Sequence, residues 1–197
     1  MNITQNSDGI YIDQIDYIRS IKPISLTRNK DKNEKLPPSK FKEYRALTGQ
    51  LSWASENTRP DISFDVRELS TRNKSATYAD LLVANKVLKK AQMNDVVIKY
   101  GRLGDWRKLR LVAFTDLSFR NAEESTKSVG GRFIALTNDS GQCNPIVWKS
   151  KTIQQVCKSV KTAETRSLEL GMEESIYLSR TLNEIYTGSV GGQIPID

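Results

Sequence analysis

The hydrophobic periodicity of this chain changes once, and that change constrains what each part can become. Between residues 44 and 92 the apolar residues recur at steps of three or four. Tyr44, Leu47, Leu51 and Ala54 share one helical face; Ile62, Val66 and Leu69 share a second; Leu81, Leu82, Ala84, Leu88 and Ala91 share a third. This spacing predicts three helices, each with an apolar stripe to bury. Pro60 falls near a first-turn position, where its missing N–H costs nothing. From Val96 the apolar runs become short and strand-like, at 96–100, 109–115, 130–136 and 145–149, and a long helical pattern then occupies 162–186. The predicted fold class is mixed α/β, with a helical block followed by strands and one long helix.

Histidine is absent from all 197 positions. That excludes Ser-His-Asp and Cys-His catalysis and every His-ligated zinc site. The only cysteines, Cys143 and Cys157, stand too far apart for a Cys-x-x-Cys motif. No run approaches the roughly 18 apolar residues of a membrane span. The polar start, Met1 to Asp8, lacks the basic-then-apolar order of a signal peptide, so a soluble intracellular chain is expected. Residues 28–40 are charged, contain Pro37-Pro38 and read as a linker.

Carboxylates are what remains for chemistry. Asp116 closes the strand run that begins at Leu109, and Glu164 lies in the first turn of the long helix. Two carboxylates brought together from such elements can share a divalent metal, because hard oxygen ligands suit Mg²⁺. Each also has a plain structural use: aspartate is common where a strand meets a turn. A glutamate at a helix N-terminus gains roughly 0.3–1 kcal/mol from the helix dipole. Glu169 and Glu173 compete on the same helix. At about 100° per residue Glu169 falls nearly opposite Glu164, so the two cannot face one ion. The net charge of +7 favours polyanionic partners. Lys149, Lys151, Lys158 and Lys161 surround the third strand and the approach to the helix, as a phosphate-contacting surface or as a solvated rim. Trp53 and Trp148 are expected to be core anchors.

Several segments then carry a resemblance. Tyr44-Arg-Ala-Leu-Thr-Gly-Gln-Leu-Ser-Trp-Ala54 is followed by Thr58-Arg-Pro-Asp-Ile-Ser63, Phe114-Thr-Asp116, Lys127-Ser-Val-Gly-Gly131, Val147-Trp-Lys-Ser-Lys151 and Ala163-Glu-Thr165. In this order they resemble the copia-type retrotransposon polyprotein, where reverse transcriptase runs into ribonuclease H. The resemblance covers nearly the whole chain. It implies the end of the polymerase region and a linker at 1–36, a helical connection or thumb at 37–95, and a ribonuclease H-like domain truncated at its C-terminus at 96–197.

The implied parent hydrolyses RNA in RNA–DNA hybrids by two-metal phosphodiester cleavage. Asp116 and Glu164 would be its metal ligands, and the intact domain would hold two Mg²⁺ ions. The alternative is a decayed or truncated relic that binds nucleic acid without catalysis. The implied partners are an RNA–DNA hybrid or other nucleic acid and the remainder of the polyprotein, with no membrane. The implied location is cytoplasmic, in a virus-like particle for an intact element, with the nucleus as a second possibility. The departures from the family bear on activity. The polymerase palm with its paired aspartates is absent, and Leu117-Ser118 replaces a second acidic residue after Asp116. The family's fourth-strand aspartate falls a few residues beyond Asp197. The chain is therefore expected to bind metal weakly and to be inactive alone.

Overall fold

The computed structural model describes residues 1–26, 31–118, 128–153 and 159–197. It divides into two compact units: Met1–Thr4 with Tyr11–Ile98, and Gln5–Ile10 with Lys99–Asp197. Three short strands, β1 (Asn2–Asn6), β2 (Gly9–Asp13) and β3 (Val97–Gly101), pair in that order. The polar sequence of β1 hides it from any apolar pattern, since all five of its residues are exposed.

The first unit is helical, as its stripes require. It contains α1 (Ile15–Ser20), α2 (Pro38–Asn57), a 3-10 turn at Pro60–Ile62, α3 (Ser63–Thr71) and α4 (Tyr78–Met93). Leu47, Leu51, Ile62, Val66, Leu69 and Leu88 are all buried in one core. A reciprocal capping box between Thr77 and Asp80 starts α4, satisfying donors that the first helical turn leaves open. Arg59 is 1% exposed and fully engaged. It donates from Nε and Nη2 to the two Asp61 carboxylate oxygens, each at 2.8 Å, and from Nη1 to the Ala91 carbonyl at 2.6 Å. That fork ties the turn after α2 to the end of α4. Tyr44 donates to the Leu69 carbonyl at 2.8 Å, and burial together with the charge of Asp80 pushes its phenol up to about 12.

Two features of this unit differ from the sequence reading. The described part of the charged 28–40 segment is stitched down: Leu36 N–H donates to Ala76, Tyr78 N–H to Glu34 and Ala79 N–H to Lys32. Leu36 joins the helical core, so backbone pairing supplies what the composition lacks. Trp53, expected in the core, is 53% exposed. It follows the buried stripe of α2 by 200° from Leu51, which turns it outward.

The second unit is built on an antiparallel sheet of β4 (Arg110–Ser118), β5 (Val129–Thr137) and β6 (Cys143–Thr152), in that order. The long helix α5 (Val160–Thr187) returns the chain across this sheet. Beyond it, Leu111 pairs with Ile196 in parallel, with backbone bonds from Leu111 to Pro195, from Ala113 to Asp197 and from Asp197 to Leu111. The last residues thus lie along the free edge of β4. Leu109, Leu111, Ile134, Leu136 and Ile194 form the core, with Leu178 and Leu182 of α5 packed against it.

Helix and sheet meet through small side chains. The buried face of α5 is Ala163, Ser167, Gly171, Ser175, Ser179 and Asn183. A Cβ on Gly171 would stand 2.4 Å from Thr115 Cγ2 of β4, so only glycine permits this approach. Ser179 donates to the Ile194 carbonyl at 2.5 Å, which holds the returning segment under the helix.

Candidate functional site

Asp116 lies near the end of β4. The helix α5 begins at Val160, where Ser159 Oγ caps it by accepting from the Thr162 N–H at 3.1 Å, so Glu164 falls just past the first turn in which the sequence reading placed it. Both residues line one open cavity of about 460 Å³, together with Thr115, Lys161, Ser167 and Leu168. The strand brings Asp116 to this place and the crossover helix brings Glu164. Ser167 binds the two elements together by donating to the Asp116 carbonyl at 3.3 Å. The alternation of β4 places Asp116 in the set with Val112 and Phe114, whereas Leu111, Ala113 and Thr115 belong to the set facing α5. Asp116 therefore meets the cavity at its rim.

Asp197 sits elsewhere. Its carboxylate pairs with Arg110 at 3.5 Å, at the far end of β4 from Asp116. Among the described residues no group of three or more His, Cys, Asp or Glu side chains could hold a metal ion. Two carboxylates fall short of the anionic donors that a pair of Mg²⁺ ions requires. The described residues do not fit the two-metal centre that the resemblance implies.

The lysines separate. Lys161 lines the carboxylate cavity. Lys151 lines a neighbouring, smaller one of about 190 Å³, with Gly130, Arg132, Arg166 and Ser167. Lys149 is engaged with Glu174 of α5, and Lys158 lies outside the described residues. Of the competing glutamates, Glu169 pairs with Arg166 at 2.5 Å.

Glu174 was not singled out by the sequence reading, yet both of its carboxylate oxygens are ion-paired with cations of β5 and β6. Arg132 Nε lies 2.5 Å from its Oε2, and Lys149 reaches its Oε1. Burial alone would raise its carboxyl, but the hydrogen bond from Lys149 and the charges of Arg132 and Lys149 outweigh burial and hold it below the usual carboxylate range. A signal existed. Glu174 is seven residues after Ser167 and eleven after Ala163, which places it beside the inward face of α5. Arg132 and Lys149 are register partners on adjacent strands and so share a sheet face.

No family model matches the chain. It is 27% identical over 146 residues to the retrovirus-related Pol polyprotein from transposon RE1 of Arabidopsis thaliana, a match covering 73% of this chain and 9% of that polyprotein. It is 25% identical over 191 residues to an uncharacterized mitochondrial protein of the same plant, covering 91% of this chain and 76% of that protein. The chain thus resembles part of a retrotransposon polyprotein. No described helix is long and apolar enough to cross a membrane.

Proposed function

We propose that the Lys99–Asp197 unit is the ribonuclease H-like portion of a copia-type retroelement polyprotein, and that by itself it binds nucleic acid without cleaving it. The observation that carries this reading is that Asp116, from the first strand, and Glu164, from the crossover helix, line one open cavity. The element order and the parallel pairing of Ile196 with Leu111 support it, because the sheet is laid out to receive a further strand beside β4. The parent's substrate is an RNA–DNA hybrid, whose RNA strand is told apart by its 2′-hydroxyls. The helical unit is the connection or thumb that precedes this domain in the parent polyprotein.

The inactive half of the proposal rests on the donor count. No hydrolytic step is assigned to Asp116 and Glu164 alone, because the described residues offer no third carboxylate beside them. The binding half rests on the net charge of +7 and on Lys151 and Lys161 at the two cavities. Incubating the purified chain with a labelled RNA–DNA hybrid and Mg²⁺, beside an Asp116→Asn control, tests both halves. The expected result is binding that weakens steeply with salt, as counterion release requires, and an uncut hybrid. Cleavage by the native chain that the control lacks would overturn the inactive half, and failure to bind the hybrid at low salt would overturn the other.

A further inference from the structure

The inward face of α5 is made of small residues, and large apolar ones stand on the row beside it. Leu168, Met172 and Ile176, each four residues apart, are 53%, 54% and 38% exposed. The row continues to Glu164 at one end and to Arg180 and Glu184 at the other, and all three are exposed. Neither Glu164 nor Arg180 makes an ion pair with a described residue. A ridge at every fourth position has the shape that packs against the same ridge of another helix. Covering its three apolar side chains is favourable, and the methionine at the middle adapts to what it meets.

The charges along the row decide what covers it. When two copies lie antiparallel about a two-fold axis at Met172, Met172 meets its own copy, Leu168 meets Ile176, and Glu164 meets Arg180. Opposite charges then close both ends of the apolar stretch. Sliding one copy by a turn sets Glu164 against Ile176 in one direction and against Glu184 in the other. A parallel arrangement opposes Glu164 to Glu164 and Arg180 to Arg180. Only the antiparallel register at Met172 joins the apolar residues and pairs Glu164 with Arg180.

We propose that this row of α5 is a self-association surface, on which a second copy of the chain docks antiparallel in that register. The apolar contacts supply the affinity, and the Glu164–Arg180 pairs fix direction and register. A surface of this extent is at the small end of protein interfaces, so the dimer is transient, with a Kd on the order of 10 µM. Glu164 and Leu168 also line the cavity that Asp116 lines, so self-association and occupation of that cavity compete. The dimer does not depend on the function proposed above.

The test is sedimentation equilibrium of the full chain over a wide range of concentration. The samples are the native protein, Met172→Lys, Glu164→Arg, Arg180→Glu and the double variant Glu164→Arg/Arg180→Glu. All three positions are exposed, so each variant is expected to keep the native far-UV circular dichroism. The native chain is expected to show a monomer–dimer equilibrium. Met172→Lys brings two ammonium groups together at the axis and should weaken it about tenfold or more. Each single charge reversal should weaken it about three- to tenfold, and the double variant should return to within about twofold of native. A native chain that stays monomeric at every concentration would overturn self-association and leave the row to another occupant. A dimer that none of the substitutions weakens is held by a different surface, which would overturn it equally. Weakening by each single reversal without recovery in the double variant would overturn the antiparallel register. Hybrid binding, measured at concentrations where the chain is monomeric, tests the proposed function separately.

Discussion

Gly171 marks the closest approach of α5 to the sheet, and its replacement gives a sharp test of that packing. In Gly171→Ala the new methyl would meet Thr115 Cγ2 at 2.4 Å. Thr115 is β-branched and cannot swing aside cheaply. The variant is expected to lose about 1–3 kcal/mol, the usual range for overpacking. Adding Thr115→Ser removes that methyl and should recover part of the loss, which a double-mutant cycle by denaturant unfolding measures. Additive losses would mean that the contact does not limit the helix.

Glu174 gives a second test at the same scale, through pH. Its folded carboxyl is held below its ordinary value of 4.5. The stabilisation is therefore complete above about pH 4.5 and is lost as pH falls through the lowered folded value. Glu174→Gln is expected to cost about 1.5–3 kcal/mol at neutral pH, the range for hydrogen bonds to charged groups. It should also flatten the acid limb of the melting profile. An unchanged acid limb would place the sensitive carboxylate elsewhere.

At the scale of the elements, the periodicity of the sequence located α2 to α5 and β3 to β6 but did not identify the inward face of α5. Leu168 is 53% exposed, and Met172 and Ile176 are exposed with it, while Ser167, Gly171, Ser175 and Ser179 are buried. Close approach to a sheet selects for small volume rather than hydrophobicity, and the serines satisfy their hydroxyls on nearby carbonyls. Ser175, for example, donates to Gly171 at 2.8 Å. The expected consequence runs against hydropathy. Ser175→Leu should destabilise the second unit by about 1–3 kcal/mol, whereas Leu168→Ser should change its melting by less than about 0.5 kcal/mol. The opposite ranking in thermal melts would mean that the helix is turned the other way. Likewise β1 has no apolar alternation, and its pairing with β2 was not legible. Residues 31–36 were hidden for a related reason: main-chain bonds to 76–79 hold them, and such bonds leave no mark in composition.

At the scale of the whole molecule, the places of Asp116 and Glu164 along their elements were legible because the periodicity fixes the type of each element. What could not be read was that both line one cavity. That shared cavity depends on α5 crossing the sheet at the distance Gly171 allows and on Ser167 tying the helix to the Asp116 carbonyl. The smaller cavity was equally hidden, since Arg132 and Arg166 come from elements that sequence spacing does not bring together. The central claim is that Asp116 and Glu164 belong to one site, and a paramagnetic probe tests it without relying on turnover. Mn²⁺ titrated into the labelled chain should broaden backbone NMR signals around both residues together, with an affinity on the order of millimolar, as befits so few oxygen ligands. Asp116→Asn and Glu164→Gln should each abolish the broadening at both places. Broadening that centres on only one of the two residues, or survives either substitution, would contradict the account.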